Sequence, residues 1–346
     1  ICLLNIRLYQ LGFLLHLMKL YRTNIHFNKL ILHNTIQTRL IHYAHELGFQ
    51  NIGFSQAGRL DTAAERLEAW LRGGHAGNMS YLENNFDKRV DPTQLVPGAK
   101  TVISLSYNYY NPDKQADPDA PKISMYAFGR DYHKVVKKKL KLLFEYLQQI
   151  ADKPVEGRYF TDSAPVMESN WAAQAGLGWK GKHTLLITPQ VGSYFFLAEM
   201  IVDYDFESTH AIKDHCGTCT RCIDACPTDA ISKQGYILDG SRCISYLTIE
   251  LRDNIPEEYK DKLEGWMFGC DICQQVCPWN RFAKRHNEPD FEPHKDLLQM
   301  TKNDWQDLRE DIFNEILQRT PVSRAKYEGL KRNIRFLTIE DTTCQD

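Results

Sequence analysis

The stretch Cys-Gly-Thr-Cys-Thr-Arg-Cys-Ile-Asp-Ala-Cys-Pro, residues 216–227, sets the character of this chain. A shorter related run, Cys-Asp-Ile-Cys-Gln-Gln-Val-Cys-Pro, follows at residues 270–278, and Cys243 lies between the two. Gaps of two residues let successive thiolates reach the corners of one [4Fe–4S] cube from a tight loop. In two-cluster ferredoxins the cysteine before the proline ligates the other cube. The pattern therefore predicts a segment that binds two [4Fe–4S] clusters.

Counting ligands on that rule divides the eight cysteines into two sets. One cube takes Cys216, Cys219, Cys222 and Cys277, and the other takes Cys226, Cys243, Cys270 and Cys273. Zinc is an alternative, because CxxC pairs also build tetrahedral zinc sites, and disulfides are another. A zinc ribbon, however, has no use for a third cysteine two residues later and a fourth before proline. Cys2 and Cys344 lie near the termini, outside both sets.

Composition fits a protein of a reducing compartment. The chain has 346 residues, 43% hydrophobic and 25% charged, which suits two or three packed units. A net charge of −2 excludes a global polycation, so any affinity for nucleic acid must come from local patches. Thiolates that bind cubes must stay reduced, which favours the cytoplasm over an oxidising compartment.

The N-terminal residues, 1–30, are interpreted as an extension outside the domains. The chain begins with Ile1, and its apolar stretch over residues 11–17 is too short to span a bilayer, so we expect no membrane association. A start site at Met18 is the favoured interpretation, with a targeting segment or an extra helix as alternatives. A transit peptide should be rich in serine, yet the first serine is Ser55.

Helical and strand patterns alternate through residue 205 and predict an α+β fold. Helices are predicted over residues 35–47, 60–71, 133–150 and 165–175, and strands over residues 51–54, 100–109, 184–188 and 193–202. The last two strands are predicted to pair with each other. Further helices are predicted over residues 305–318 and 323–335. We therefore expect a first domain over residues 31–205, a cluster domain over residues 206–285 and a basic helical tail over residues 286–346.

The segment Gly-Leu-Gly-Trp-Lys-Gly-Lys, residues 176–182, is a weak signal by itself. It matches neither a Walker loop nor a GxGxxG fingerprint after a strand. Its glycines would let the backbone approach something flat or bulky. An ordinary turn between a helix and a strand is the alternative.

Several motifs together resemble the epoxyqueuosine reductases, from about residue 35 to residue 333. In the first half they are Lys-Arg-x-Asp-Pro at 88–92, Leu-Val-Pro-Gly-Ala-Lys at 95–100, Thr161-Asp162 and the glycine segment. In the second half they are the two cysteine runs, Cys-Ile-Ser-Tyr-Leu-Thr at 243–248 and Cys-Pro-Trp-Asn at 277–280.

This resemblance implies a cobalamin-dependent oxidoreductase that reduces epoxyqueuosine to queuosine at the wobble base of tRNA. Cob(I)alamin would be fed by the two clusters, and the cobalamin would be bound base-off. The first domain would be a cobalamin-binding α/β domain similar to that of reductive dehalogenases, followed by a ferredoxin-like domain. Asp162 matches the proton donor of the family, which needs a pKa raised by burial. A helix N-cap is the alternative for Asp162.

The resemblance also implies which residues contact cobalamin and tRNA. The expected cobalamin contacts are Arg89, Lys182, His183, Thr184, Ser245, Tyr246, Cys270 and Asp271. For Arg89, a salt bridge with Asp87 or Asp91 is the alternative. The expected tRNA contacts are basic residues near the C-terminus together with one that follows residues 243–248, namely Arg252, Arg324, Lys326, Lys331, Arg332 and Arg335. The set that contains Cys270 would be the cluster nearer the corrin.

Two other classes of function stay open at the level of sequence. A cobalamin-dependent reductive dehalogenase would use similar chemistry on a small organohalide. A plain two-cluster electron carrier would hardly need 200 residues before its cluster domain. For the favoured class we expect a monomer that takes electrons from a low-potential donor.

Overall fold

The computed structural model describes residues 35–338, so the predicted extension over residues 1–30, Cys2 and Cys344 lie outside the described residues. The strands are β1 (Asn51–Gln56), β2 (Thr101–Asn108), β3 (Lys122–Ile123), β4 (Gly157–Phe160), β5 (Trp179–Lys180), β6 (Leu186–Ile187), β7 (Phe195–Val202) and β8 (Trp266–Phe268). The helices are α1 (Ile36–Glu46), α2 (Asp61–Arg72), α3 (Phe86–Val90), α4 (Tyr132–Ile150), α5 (Glu168–Gln174), α6 (Arg221–Asp224), α7 (Ile272–Gln275), α8 (Lys302–Gln306), α9 (Glu310–Ile316) and α10 (Lys326–Thr338).

An antiparallel sheet in the order β1-β2-β7-β4 forms the centre of the first half of the chain. Its middle strands β2 and β7 are almost wholly buried. Helices α1 and α4 pack on one face of the sheet. Helix α5 packs on the other face, where Trp171 is fully buried. The predicted mixture of helix and sheet is confirmed, and the two-faced sheet places the end of β4 beside the start of α4.

The start of α4 is fixed by its own sequence. Asp131 is the N-cap, and its carboxylate accepts a hydrogen bond from the backbone N–H of His133 at 3.0 Å. Apolar residues then recur at helical spacing, and Leu140, Leu143 and Leu147 are fully buried against the sheet. The first turn of α4 is therefore held rigidly at the edge of the core.

Three predicted elements are wrong in detail. Strand β6 pairs with β5 rather than with β7, because both edges of β7 are already occupied by β2 and β4. The helix predicted from residue 165 begins at Glu168, so Asp162 is not its N-cap. The helix predicted over residues 305–318 is split into α8 and α9.

In the glycine segment, Gly178 lies against the backbone of Ile187, where a side chain would clash, so this glycine serves packing within the chain.

The C-terminal helices form a second core with two other parts of the chain. Leu330 and Ile334 of α10 pack with Trp305 of α8, with residues 120–128 and with β8. Residues 120–128 belong to the first predicted domain, so that domain reaches into this core. The domain boundaries stay a prediction. Among the described residues, no helix has the length and apolar character needed to cross a membrane.

Asn333 connects α10 to both chain segments that flank the cluster cysteines. Its side-chain amide is fully buried and donates to the carbonyls of Thr248 and Met267, each at 2.8 Å. Thr248 lies on a π-helical turn, Tyr246–Glu250, which comes after Cys243 in the chain. Met267 lies on β8, which comes before Cys270. The amide therefore holds the two segments in register.

Replacing Asn333 with alanine should destabilise the protein by about 2 kcal/mol, since two buried carbonyls lose their donor. The thermal unfolding midpoint of the anaerobically purified protein, with its iron content, measures this. Asn303→Ala, on the exposed side of α8, is the matched control and should leave the midpoint unchanged. Equal midpoints for the two variants would contradict the role given to Asn333.

Candidate functional site

The two cysteine runs fold into matching loop–helix units. Cys222 lies in α6, Cys273 lies at the equivalent position of α7, and the two short helices pack against each other. Each run ends at a cysteine followed by proline, at Cys226 and Cys277. The two units therefore face each other across α6 and α7.

Electrostatic interactions run mainly within two groups of thiols, although Cys222 also acts on Cys273. We call Cys216, Cys219, Cys222 and Cys277 the first thiol group and the other four the second. Burial, and after it the neighbouring Cys277, raise the pKa of Cys222 to about 11. Burial raises the pKa of Cys270, and the thiols of Cys243 and Cys226 add to it. Each terminal cysteine thus lies with the opposite run, which supports the predicted ligand sets. Within residues 35–338, no group of three or more His, Cys, Asp or Glu side chains is arranged to hold a single metal ion.

The second thiol group, defined by Cys226, Cys243, Cys270 and Cys273, lines a cavity of about 440 Å³. We call it the cluster cavity. Its walls also include His183 and Thr184, from the turn before β6, and Ser245, which follows Cys243. Four of the predicted cofactor contacts, His183, Thr184, Ser245 and Cys270, are therefore brought together here.

His183 belongs to the wall of the cluster cavity and has a buried ring nitrogen that no described residue pairs with. The residue is 3% exposed, and burial lowers its pKa to about 4, so the ring is neutral. Its Nδ1 accepts a hydrogen bond from the backbone N–H of Leu185 at 3.2 Å, which leaves the proton on Nε2. Nε2 has no hydrogen-bond partner among the described residues. A buried donor without a partner in a cavity wall fits a bound group that carries polar acceptors.

A second cavity, of about 980 Å³, lies beside the first and shares Tyr126, Ser169 and Leu197 with it. We call it the acid cavity, since Asp162 and Glu168 line it. Together the two volumes exceed the roughly 300–1,000 Å³ of pockets for drug-sized ligands. A group that spans them, as large as a corrin, would contact the second thiol group at one end and Asp162 at the other.

Asp162 lies just after β4 in a hydrogen-bonded network with the first turn of α4. Its Oδ2 accepts a hydrogen bond from the hydroxyl of Tyr132 at 2.6 Å and lies 3.6 Å from Nε2 of His133. Nδ1 of His133 lies 2.7 Å from Oδ1 of Asp131, the N-cap of α4. The Asp162 side chain is 62% exposed, and it faces the acid cavity. An acid with two proton-bearing partners at a cavity wall is arranged for proton transfer.

The expectation that burial raises the pKa of Asp162 is wrong for this structure. Burial does act in that direction, but the hydrogen bonds from His133 and Tyr132 outweigh it and hold the pKa below its ordinary value. The partner His133 shows the opposite shift. Burial alone would lower its pKa, yet Asp131 and Asp162 raise it to about 9. At neutral pH the shared proton therefore resides on His133, next to the Asp162 carboxylate.

Two more carboxyl groups lie behind Asp162. The backbone N–H of Asp162 donates to Oε1 of Glu168, at the start of α5, at 2.6 Å. Glu199, in the middle of β7, is fully buried; no N–H or hydroxyl group of the described residues donates to its oxygens, and the group that contacts them is the carboxyl group of Glu168. Burial raises the pKa of Glu168 to about 8, and it raises the pKa of Glu199 strongly. The charge of Glu168 and the hydrogen bond between the two side chains raise the pKa of Glu199 further.

Arg89 lines the acid cavity instead of the cluster cavity. Its guanidinium donates to the carbonyl of Tyr81 at 3.2 Å, and its buried Nε has no partner among the described residues. The alternative of a salt bridge is wrong, since Asp87 lies 3.8 Å from Arg59 and Asp91 accepts from the backbone of Thr93. Arg89 is thus placed to contact a ligand of the acid cavity.

Three predicted cofactor contacts lie outside the cluster cavity, and their contact with a cofactor stays a prediction. Lys182 donates to the carbonyls of Gly217 and Cys219, at 2.8 and 2.9 Å, and so supports the loop of the first cysteine run. The hydroxyl of Tyr246 accepts from the backbone N–H of Asn78. The buried carboxylate of Asp271 accepts from the backbone N–H of Met125 at 2.8 Å and from the hydroxyl of Ser124. None of the three lines the cluster cavity.

The predicted tRNA contacts fall into two groups. Arg324 is exposed, lines the acid cavity and pairs with Glu250 at 2.8 Å. Arg252 and Lys326 are exposed nearby, around a small groove beside it, and Arg335 is also exposed. The remaining two are used within the fold. Lys331 donates to the carbonyl of Gln306, and Arg332 donates to the carbonyls of Leu247, Leu251 and Asp253.

The sequence did not reveal Tyr132, His133, Glu168 or Glu199 as site residues. A possible signal was the Asp-Tyr-His sequence at a helix start, because an N-cap fixes the residues that follow it. Nothing local, however, connects residues 131–133 with Asp162. Their contact depends on the packing of α4 against the sheet edge.

Cysteine runs of the iron–sulfur type beside a cavity lined by acids define the class as an iron–sulfur oxidoreductase. The family model for a 4Fe-4S double cluster binding domain matches residues 215–280. This confirms the predicted pair of clusters over zinc or disulfides, while the assignment of single ligands stays a prediction. The family model described as Epoxyqueuosine reductase QueG, DUF1730 matches residues 89–163, which include Arg89 and Asp162.

Named relatives cover most of the chain. An epoxyqueuosine reductase of Cellulophaga algicola is 55% identical over 291 residues, 84% of this chain and 94% of that protein. A crystal structure of an epoxyqueuosine reductase with an epoxyqueuosine-modified tRNA-Tyr stem loop matches with a TM-score of 0.77 and 31% identity, over 87% of this chain and 80% of that one. The Bacillus subtilis epoxyqueuosine reductase, solved with its catalytic aspartate loop swung out of the active site, matches with the same score and coverage at 30% identity. This chain belongs to the epoxyqueuosine reductase family.

Proposed function

We propose that this protein reduces epoxyqueuosine to queuosine in the anticodon loop of tRNA. Family membership supports the reaction, and one feature of the structure carries the proposal for this chain. The cavity lined by four cluster cysteines adjoins the cavity lined by Asp162, through Tyr126, Ser169 and Leu197. Electrons from a cluster and protons from an acid can therefore reach one bound group from opposite ends.

The adjoining cavities suit cobalamin as that group, by their size and by the donor at His183 Nε2. Bound cobalamin would supply a strongly reducing cobalt centre that accepts electrons singly from the clusters. The residues that would hold it are His183, Thr184 and Ser245 on the side of the second thiol group. We also propose that the first domain is similar to the cobalamin-binding domain of reductive dehalogenases.

Removing an epoxide oxygen as water takes two electrons and two protons. The clusters deliver the electrons, and Asp162 transfers a proton to the oxygen. The charged His133, 3.6 Å away, restores the proton to the carboxylate, so that Asp162 can deliver the second proton from water-exchanged His133; the Tyr132 hydroxyl, 2.6 Å away, keeps its own proton because burial raises its pKa. When cofactor and substrate fill the acid cavity, they exclude water from Asp162, which raises its pKa toward that of a donor. The hydrogen bond from Tyr132 keeps the carboxylate in place.

For the tRNA we propose a surface around the mouth of the acid cavity. Exposed Arg252, Arg324 and Lys326 lie there and would follow the phosphates, which gives affinity that falls with salt. The unstacked wobble nucleotide would enter the cavity. We further infer a cytoplasmic monomer that receives electrons from a low-potential donor at the first thiol group.

The test is anaerobic reconstitution with iron, sulfide and cobalamin, followed by turnover of an epoxyqueuosine-containing tRNA stem loop. We expect a base-off cob(II)alamin signal in the EPR spectrum and conversion to queuosine by mass spectrometry. Full iron content with no retained cobalamin would overturn the mechanism and favour an electron carrier. Cobalamin binding with dehalogenation of a bromophenol but no tRNA turnover would favour the dehalogenase alternative.

Turnover should fall as the pH rises through about 9, because His133 loses its proton there. The sign follows from the raised pKa of His133, whose charged form is present below this value and lost above it. The pKa of Asp162 lies below its ordinary value, so the Asp162 carboxylate beside His133 stays charged throughout this range. His133→Gln should remove the alkaline limb and lower kcat about tenfold or more. Profiles of kcat against pH measure this, with the exposed His42→Gln as control. An unchanged limb in His133→Gln would contradict the assignment.

A further inference from the structure

The segment over residues 161–167 carries Asp162 from the end of β4 to the start of α5. Thr161 fixes its first end, because the residue is fully buried and its hydroxyl donates to the carbonyl of Leu197 at 2.8 Å. Helix α5 fixes the other end through the buried Trp171. Between these anchors, Asp162 adopts φ +45°, a left-handed conformation that costs free energy in a residue other than glycine. Something in the structure must hold it there.

Two contacts hold Asp162. One is at the carboxylate, which accepts a hydrogen bond from Tyr132 and lies 3.6 Å from Nε2 of His133; it depends on the charge of the same group that transfers the proton. The other is the 2.6 Å hydrogen bond from its backbone N–H to Glu168, which is independent of that charge. Only the second contact can keep the loop in place while the side chain gives up and regains a proton.

We propose that Glu168 is a positioning residue that latches the Asp162 loop in its catalytic place, with Glu199 fixing the orientation of the Glu168 carboxyl group. This inference rests on the proposed function and deepens it. Glu168 acts through the backbone of Asp162 and transfers no proton to the substrate.

The chemistry of Glu168 and Glu199 explains why two carboxyl groups lie together behind Asp162. Two carboxylates side by side in a buried place repel each other, so one keeps a proton. Glu199 sits at the centre of the sheet, opposite Ser104 of β2 and Phe160 of β4, and is fully buried. Burial and the charge of Asp162 raise the pKa of Glu168 to about 8, so its carboxyl group is mostly neutral at neutral pH. A neutral carboxyl group can accept from the Asp162 N–H with one oxygen and turn its O–H toward Glu199 with the other.

This arrangement predicts opposite results for two substitutions at one position. Glutamine has the shape of the neutral acid, with a carbonyl oxygen to accept from Asp162 and an amide to donate to Glu199. Alanine offers neither. Glu168→Gln should therefore keep turnover within about threefold of the parent, whereas Glu168→Ala should lower kcat about 10- to 100-fold at an unchanged KM for tRNA.

The decisive readout is hydrogen exchange of the peptide that covers residues 157–167, followed by mass spectrometry on protein with full iron content. In Glu168→Ala this peptide should lose protection while peptides of α4 and β7 keep theirs, and in Glu168→Gln it should match the parent. Glu65→Ala, an exposed glutamate of α2, is the control. Unchanged protection in Glu168→Ala, or equal loss in both variants, would overturn the latch.

The exchange measurement needs neither substrate nor turnover, so it separates the two proposals. A parent protein that fails to convert epoxyqueuosine would refute the proposed function and leave the exchange result valid as a test of the latch. Conversion by the parent with equal kcat for Glu168→Ala would refute the latch alone.

Discussion

Asp162→Asn should lower the turnover of epoxyqueuosine tRNA by about 10²- to 10⁴-fold, the range found for loss of a positioned acid. Asparagine has the same size, and its Oδ1 can still accept the hydrogen bond from the Tyr132 hydroxyl. Its backbone N–H can still donate to Glu168. What it cannot do is carry a proton, so the loss isolates proton transfer from the position of the loop. Single-turnover rates with prereduced protein measure the effect on the chemical step.

Ser163→Ala is the matched control for this substitution, because Ser163 is the exposed neighbour of Asp162 in the same loop. It should retain the rate of the parent. Iron content and the cob(II)alamin EPR signal should be the same in all three proteins, which excludes a defect in cofactor loading. Turnover by Asp162→Asn close to that of the parent would remove Asp162 from the proton path and direct attention to Tyr132.

The cluster segment could be predicted from sequence because its chemistry is local. A cube needs several thiolates from one tight loop, so two-residue gaps and a final Cys-Pro are visible without any knowledge of the fold. The helix N-capped by Thr35 and the long helix before residue 150 were predictable for a similar reason, since caps and apolar periodicity act within one element. The predicted family is likewise confirmed, because its motifs are short and continuous.

The acid network could not be predicted, because it is assembled by packing between distant segments. Tyr132 and Asp162 are separated by 30 residues, and their hydrogen bond exists only because α4 starts where β4 ends. The pairing of β6 with β5 escaped prediction for a related reason, since strand partners depend on which edges are already occupied. In the sequence alone, Glu199 is a charged residue that interrupts an otherwise apolar strand. Only the fold shows that the carboxyl group of Glu168 interacts with it.

Cys277→Ser should give the same loss as Cys216→Ser, although the two residues lie 61 positions apart and in different runs. The first thiol group contains both, so each variant should lose one cube and fall from about eight to about four irons per chain. Cys226→Ser, in the first run by sequence, should instead resemble Cys270→Ser, because both line the cluster cavity. Turnover should fall below detection in all four variants, since each breaks the path of electrons. Iron analysis and EPR of the dithionite-reduced proteins measure the loss.

The type of the remaining cluster decides between crossed and uncrossed ligand sets. With crossed sets, the EPR spectrum of reduced Cys277→Ser matches that of Cys216→Ser and differs from that of Cys270→Ser, because the cube beside the cavity survives in the first two. With uncrossed sets, Cys277→Ser would match Cys270→Ser. Cys344→Ser lies outside both runs and should keep full iron and turnover. We expect the crossed result because Cys277 interacts with Cys216 and Cys219, while Cys226 interacts with Cys243 and Cys270.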